Sequence, residues 1–188
     1  MTSQSVHGAA RVPHLNVANA FTMLRVVLVP VFGWLLVVRE PSAPAWAAIV
    51  FALAAATDGV DGWVARRLHL VSGLGQFLDP LADKLLVGVA LVALASDRRM
   101  PWWAVGVILG RELAVSIWRV VLAHRGRAMP ASRLGKLKTG SQILAVLLLT
   151  ALDPGHIAAL AALYVAVALT LLSAYGYLVD NDAVEDWR

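Results

Sequence analysis

Hydrophobic residues fall into six long segments that are separated by short polar breaks. The segments cover residues 21–38, 43–65, 81–96, 102–123, 139–152 and 154–179. The breaks carry the turn residues Pro41 and Pro44, Gly73 and Gly75, Pro101, Pro130 and Asp153-Pro154-Gly155. A membrane-spanning helix needs about 20 mostly apolar residues. The pattern therefore predicts an all-α integral membrane protein with six transmembrane helices. The fifth is expected to begin near Leu134, with its basic residues reaching toward the interface.

The composition supports this prediction and limits the available chemistry. Of 188 residues, 60% are hydrophobic and 15% are charged, whereas soluble domains are about half apolar and a quarter charged. A disordered chain is excluded and a soluble α/β enzyme is disfavoured. Because the chain contains no cysteine, disulfides, thiolate metal sites and thiol nucleophiles are excluded. Any catalysis must use carboxylates, bases, hydroxyls or bound ions.

The distribution of basic residues predicts how the chain is oriented. One set of alternate loops holds nine Lys and Arg residues, namely Arg11, Arg66, Arg67, Arg125, Arg127, Arg133, Lys136, Lys138 and Arg188. The other set holds only Arg39, Arg98 and Arg99. Cytoplasmic loops carry the excess of positive charge, so both termini are predicted to be cytoplasmic. Residues 1–15 then form a cytoplasmic segment, 16–180 the six-helix transmembrane catalytic domain and 181–188 a cytoplasmic tail. No removable signal peptide is expected.

The net charge of +4 raises the question of an anionic partner. The basic residues flank apolar segments and do not form a polar face. They therefore favour anionic lipid headgroups or phosphorylated substrates over nucleic acid.

Five acidic residues lie inside the predicted spans: Asp58, Asp61, Asp79, Asp83 and Glu112. An aspartate at the centre of a membrane helix costs about 2.5–3.5 kcal/mol, and such residues usually mark functional sites. Some compensating group is therefore required.

The spacing of the four aspartates indicates a metal site. Asp58 and Asp61 are three residues apart and Asp79 and Asp83 are four apart, so each pair shares one helix face. The short loop between the second and third spans would bring both pairs to the same depth. Four carboxylates balance two divalent cations, and oxygen ligands suit Mg²⁺ or Mn²⁺. Two such ions suit phosphoryl chemistry. The alternative is a set of structural salt bridges to Lys84, Arg66 and Arg111.

The region from Asp58 to Asp83 carries a known family signature. Its pattern is D-x2-D-G-x2-A-R-x8-G-x3-D-x3-D, and it resembles the signature of the CDP-alcohol phosphatidyltransferases at every fixed position. The resemblance implies six transmembrane helices, usually in a homodimer, with a CDP-linked lipid and two divalent cations. It also implies that a hydroxyl attacks the β-phosphate and expels CMP.

The resemblance implies roles for individual residues of this motif. The four aspartates would be the metal ligands, and Asp83 would also be the base for the attacking hydroxyl. A carboxylate beside a cation stays ionised and can accept a proton within hydrogen-bond reach. Gly62 and Ala65 would leave room for the nucleotide, Arg66 would hold the diphosphate with its fork of donors, and Ser72 would contact the cytidine end.

Three further motifs are similar to those of the family members that make phosphatidylglycerophosphate. They are N-x2-N-x2-T-x2-R at residues 16–25, R-E-x3-S-x2-R at 111–119 and G-K-x-K-T-x2-Q at 135–142. The first departs slightly, because proline is common where Ala18 stands. The resemblance implies CDP-diacylglycerol as donor and glycerol 3-phosphate as acceptor. The acceptor phosphate would be bound by Arg111, Arg119, Lys136, Lys138 and Arg25.

Alternatives remain open for the acceptor and for the basic residues. Within the family the acceptor could be inositol phosphate or phosphatidylglycerol, and outside it a cation transporter could also carry aspartates at membrane depth. Lys136 and Lys138 could instead anchor the chain to anionic lipid. Arg111 could pair with Glu112, although adjacent helix residues do not face each other. The expected location is the bacterial cell membrane, with the active site facing the cytoplasm.

Overall fold

The described part of the chain is built from six α-helices. The computed structural model describes the backbone of residues 17–38, 40–68, 73–125 and 133–185, and the side chains of 23–38, 40–57, 84–125 and 134–175. The helices are α1 (Val17–Val37), α2 (Ala43–Leu68), α3 (Gly73–Ser96), α4 (Trp102–His124), α5 (Arg133–Ala151) and α6 (Ile157–Glu185). No strand occurs within these ranges. The all-α prediction is confirmed.

Each predicted segment corresponds to one helix, and two boundaries differ clearly. Helix α6 continues to Glu185, whereas its predicted segment ended at residue 179. Helix α5 begins at Arg133, one residue before the predicted start. Helix α3 begins at Gly73, whereas the apolar pattern placed its start at residue 81. Gly73 and Gly75 were interpreted as a break, but glycine costs only about 1 kcal/mol in a helix and is tolerated there.

The connection between α5 and α6 is a tight turn of the type that its sequence predicts. His156 N donates a 3.1 Å hydrogen bond to the carbonyl oxygen of Asp153. Gly155 has φ +84°, and Pro154 precedes it. Proline followed by a residue with positive φ defines a type II turn. The turn reverses the chain between two helices that pack on each other.

A core of small and aromatic side chains holds α1, α2 and α3 together. The Phe32 and Phe51 rings are fully buried, and their centroids lie 5.3 Å apart. Ala47, Ala54 and Ala90 are also fully buried, and such small residues allow helices to approach closely. Helix α5 contacts α2, α3 and α6, while α4 contacts α3 and α6. Helix α3 also contacts α1 and α2, so the helices form one bundle in which α3 is central.

The side chain of Arg99 links the α3–α4 connection to the C-terminal end of α5 through hydrogen bonds. Its Nη1 atom donates to the carbonyl oxygens of Leu149 at 3.1 Å, Thr150 at 3.3 Å and Leu152 at 3.0 Å. These carbonyls belong to the last turn of α5 and the residue after it, where helix carbonyls lack partners within the helix. A cation at this position is also favoured by the helix dipole. Arg99 therefore caps α5 from a neighbouring connection.

The outer surface of the described bundle is strongly apolar. Exposed large side chains occur on every helix and include Trp34, Trp46, Leu85, Leu113, Leu137 and Leu172. Soluble monomers rarely expose apolar surface to this extent. Within the described residues, one segment, Ile157–Tyr175, is long and apolar enough on its own to cross a membrane. The crossing of the membrane by all six helices stays a prediction.

Candidate functional site

The four motif aspartates occupy matching positions on α2 and α3. Their side chains lie outside the described residues, but the helices that carry them are described. Asp58 lies ten residues before the end of α2, and Asp83 lies ten residues after the start of α3. At 1.5 Å per residue, both positions are about 15 Å from the connection. Because α2 and α3 are in contact, the helix bounds agree with the prediction that the two pairs share one depth.

The residues implied for the CDP-linked lipid also belong to this region. Gly62, Ala65 and Arg66 lie in the last turns of α2, and their side chains are outside the described residues. Ser72 lies outside the described residues altogether. Among the side chains that are described, no group of three or more His, Asp or Glu residues could hold a metal ion. The four aspartates thus remain the predicted ligands, and their oxygen atoms are chemically suited to Mg²⁺ or Mn²⁺.

The fifth acid of the predicted spans, Glu112 on α4, is paired with two cations. Its Oε1 atom accepts hydrogen bonds from Lys138 Nζ on α5 and, at 3.4 Å, from Arg111 Nη1. The expectation that Arg111 and Glu112 do not face each other is wrong at the ends of their side chains. Adjacent Cβ atoms diverge on a helix, but two long side chains can still meet at their tips. For Glu112, the alternative of structural ion pairs is therefore realised in part.

A chain of buried hydrogen bonds extends this pair to α6. Arg111 Nη2 donates to Ser173 Oγ at 2.9 Å, and Ser173 Oγ donates to the carbonyl oxygen of Thr170 at the same distance. Thr170 Oγ1 accepts a 3.1 Å hydrogen bond from Gln142 Nε2 on α5. Gln142, Thr170 and Ser173 are all buried. Satisfied buried polar networks rigidify and specify one packing arrangement, so this network fixes α4, α5 and α6 relative to one another.

A cavity of about 230 Å³ opens between α3, α4 and α5 beside this network. Its polar lining consists of Lys84, Glu112, Ser116, Lys138, Thr139 and Gln142, and its apolar lining of Val87, Leu109 and Leu113. Lys84 and Lys138 therefore line the same cavity as Glu112. Lys84 directly follows Asp83 on α3, which brings this cavity close to the aspartate positions along the helix.

Lys138 is the predicted acceptor-binding residue that the structure places in this cavity. Its side chain is buried and contacts Glu112, which disfavours the alternative of a lipid anchor. Lys136 and Arg119 are exposed, and Arg25 is fully buried within α1. Neither Arg111 nor Arg119 lines this cavity. The structure therefore does not bring the five predicted cations together in it.

Two charged residues of the cavity were not assigned to the site from the sequence. Lys84 was considered only as a salt-bridge partner. Glu112 was considered as an acid that needed compensation, as a partner of Arg111 and as part of the motif at 111–119, but not as a site residue. Lys84 could have been found from its position, because it follows the last aspartate of the motif. The role of Glu112 depends on its side-chain contact with Lys138 on α5, for which the sequence offers no direct signal.

Comparison with known proteins decides the family. The family model described as CDP-alcohol phosphatidyltransferase matches residues 15–172. The chain belongs to this family. The resemblance that the aspartate motif suggested is thus confirmed over most of the sequence, and the membrane association of the family agrees with the apolar surface of the bundle.

Several bacterial members of the CDP-alcohol phosphatidyltransferase family are similar along nearly their whole length. A protein of Bacillus subtilis (strain 168) named CDP-diacylglycerol--glycerol-3-phosphate 3-phosphatidyltransferase is 44% identical over 183 residues, covering 88% of this chain and 95% of the relative. A protein of the same name from Pseudomonas fluorescens is 41% identical over 87% of this chain and 89% of its own. A probable phosphatidylglycerophosphate synthase of Mycobacterium tuberculosis (strain ATCC 25618 / H37Rv) is 39% identical over 92% and 84%.

Proposed function

We propose that this protein transfers a phosphatidyl group from CDP-diacylglycerol to the 1-hydroxyl of sn-glycerol 3-phosphate, giving phosphatidylglycerophosphate and CMP. The observation that carries this proposal is the identity of 37–44% to relatives named for this reaction. The match covers at least 87% of the chain in each of these relatives. This similarity favours a transferase over the cation transporter that was the alternative outside the family.

The cavity supports a phosphorylated acceptor over a plain alcohol. A phosphate ester carries negative charge and is bound best by cationic donors that reach it together. Lys138 and Lys84 line the cavity from α5 and α3. A neutral alcohol would not require two ammonium groups in a cavity that also has an apolar wall. Arg111, Arg119, Lys136 and Arg25 remain proposed contributors through the motifs that contain them.

The aspartates of α2 and α3 would hold two divalent cations, Mg²⁺ or Mn²⁺. The donor set consists of four carboxylates on two helices that contact each other, and hard cations prefer oxygen ligands. When bound, such ions neutralise the charge of a diphosphate and of its leaving group.

The proposed chemistry assigns one task to each residue of the motif. Arg66 holds the diphosphate of the donor, Gly62 and Ala65 leave space for the nucleotide, and Ser72 contacts its cytidine end. Asp83 takes the proton from the acceptor hydroxyl. The hydroxyl oxygen then bonds to the lipid-bearing phosphorus. The bond from that phosphorus to the bridging oxygen breaks, and CMP leaves with its electron pair.

We further propose that the enzyme lies in the bacterial cell membrane as a homodimer. All six helices would cross the bilayer, with both termini and the active site on the cytoplasmic side. The lipid donor would then enter sideways between helices, while glycerol 3-phosphate arrives from the cytoplasm. The excess of Lys and Arg in the loops on one side supports this orientation.

A panel of acceptors tests the proposed reaction. The purified protein is incubated with CDP-diacylglycerol and Mg²⁺, and CMP release is measured with glycerol 3-phosphate, inositol phosphate, phosphatidylglycerol or no acceptor. We expect CMP release to depend on glycerol 3-phosphate. Faster release with either of the other acceptors would assign the protein to a different branch of the family.

A further inference from the structure

Among the described residues, Glu112 is the acid that lines the cavity. It contacts two cations. Lys138 Nζ and Arg111 Nη1 both donate to its Oε1 atom. The side chains of Arg111 and Lys138 are each 8% exposed, and that of Glu112 is 21% exposed. Glu112 and Lys138 therefore meet at the wall of the cavity with Arg111 beside them, and all three side chains are largely shielded from bulk water. A contact in such surroundings is screened much less than an ion pair at the surface.

The contact with Glu112 limits where the Lys138 ammonium can lie. A lysine side chain has four rotatable bonds and a point charge with no preferred direction. The Glu112 carboxylate on α4 supplies a direction, because it accepts a hydrogen bond from this ammonium on α5. Helix α4 is in turn linked to α6 through Arg111 and Ser173. The position of the ammonium is thus set by a rigid assembly of three helices.

We propose that Glu112 is a positioning residue for the acceptor phosphate. Its carboxylate holds the Lys138 ammonium at the cavity wall, so that the ammonium is preorganised for an incoming phosphate ester. This inference rests on the proposed function, and it adds a role that acts through Lys138. Glu112 itself does not touch the substrate. Preorganised cations bind without losing side-chain freedom at the moment of binding.

The proposal makes a different prediction from simple competition. If Glu112 merely occupied the place of the phosphate, removing its charge would strengthen binding of the acceptor. If Glu112 positions Lys138, binding of the substrate depends on an oxygen atom of residue 112 that can accept a hydrogen bond from the Lys138 ammonium. Glu112→Gln retains such an oxygen at the same reach, Glu112→Leu removes it, and Glu112→Asp keeps the charge but withdraws the carboxylate by one methylene.

The experiment measures kcat and both KM values in these variants. For Glu112→Leu we expect KM for glycerol 3-phosphate to rise about tenfold, which is the loss of one hydrogen bond to a charged group. KM for CDP-diacylglycerol and kcat should stay near wild type. Glu112→Gln should keep KM for glycerol 3-phosphate close to the wild-type value. Glu40→Gln is the matched control, because Glu40 is an exposed acid in the α1–α2 connection, and it should leave both KM values unchanged.

A double variant tests whether the effect passes through Lys138. If it does, Glu112→Leu combined with Lys138→Met should have the acceptor KM of Lys138→Met alone, since coupled residues are not additive. Additive effects, a fall in acceptor KM, or equal rises in both KM values would overturn the proposal.

The Asp and Gln variants keep the test decisive if Glu112→Leu does not fold. Positioning predicts a higher acceptor KM for Glu112→Asp than for Glu112→Gln, and a purely electrostatic role predicts the reverse order. Wild-type protein that releases no CMP with glycerol 3-phosphate would refute the proposed function. Active wild type with an unchanged acceptor KM in every variant would refute only the positioning role.

Discussion

Arg111 on α4 donates a 2.9 Å hydrogen bond from Nη2 to the Oγ atom of Ser173 on α6. The Ser173 hydroxyl is buried and donates onward to the carbonyl oxygen of Thr170. This hydroxyl therefore serves as acceptor for a charged group and as donor to the backbone of its own helix. The hydrogen bond between Arg111 and Ser173 thus joins α4 to α6, next to the contact between Arg111 and Glu112.

Replacing Ser173 by alanine should destabilise the bundle. The substitution removes the acceptor of a hydrogen bond from a buried charged group, which costs about 1–3 kcal/mol. For a protein of this size we expect the unfolding temperature to fall by about 2–4 °C for each kcal/mol lost. Thermal unfolding in detergent measures the shift. Ser96→Ala is the control, because the exposed Ser96 hydroxyl only donates to its own helix. Equal shifts for both variants would contradict this account.

Lys136 and Lys138 should contribute unequally to acceptor binding. Two residues separated by two positions on an α-helix point about 200° apart. Lys138 accordingly faces the cavity, whereas Lys136 is exposed. We expect Lys138→Met to raise KM for glycerol 3-phosphate about tenfold or more, in proportion to one lost contact with a charged group. Lys136→Met should change it less than threefold, about the worth of a screened surface charge. Steady-state kinetics with varied glycerol 3-phosphate decide the point, and equal effects would argue against this cavity as the acceptor site.

Asp83→Asn should remove most of the activity while leaving the fold intact. The amide cannot take a proton from the acceptor hydroxyl, and general bases typically contribute about 10²–10⁴-fold in rate. We therefore expect kcat to fall at least about 100-fold, with a larger loss if metal binding is also impaired. Asp153→Asn, in the exposed α5–α6 turn, should retain wild-type CMP release. Activity of Asp83→Asn near the wild-type level would remove both roles proposed for Asp83.

Removal of divalent cations should abolish CMP release reversibly. The four motif carboxylates would repel one another without a bound cation, and a diphosphate would add further negative charge. We expect EDTA to stop the reaction and an excess of Mg²⁺ or Mn²⁺ to restore it. EDTA saturated with Mg²⁺ beforehand is the control and should have no effect. Full activity in excess EDTA would exclude the proposed cation site.

The helices could be predicted from the sequence because their signals are local. Apolar segments and the Pro154-Gly155 turn determine where α5 ends and α6 begins, and the basic residues near 133 mark the start of α5. The start of α3 was harder to predict from the sequence. Two glycines normally indicate a break, but a helix stabilised by its neighbours can absorb their cost.

The site could be predicted only where its residues form a sequence motif. The spacing of the aspartates is local, so it identifies them without knowledge of the packing. The contact between Glu112 and Lys138 is different, because the two residues are 26 positions apart. Which side of α5 faces α4 depends on how all six helices pack. That information is distributed over the core and is not present in the G-K-x-K-T-x2-Q motif.

Arg98→Gly should stabilise the protein. Arg98 N donates to the carbonyl oxygen of Ala95 and Arg99 N to that of Leu94, so α3 ends in a Schellman motif. Arg98 occupies the position of this motif that favours glycine, with φ +58°. A residue with a Cβ atom pays about 1 kcal/mol or more in this conformation. We expect Arg98→Gly to raise the unfolding temperature by about 2–4 °C. Arg98→Ala removes the same charge but retains Cβ, and it should show no gain. A similar rise in both variants would instead attribute the stabilisation to the loss of the arginine side chain.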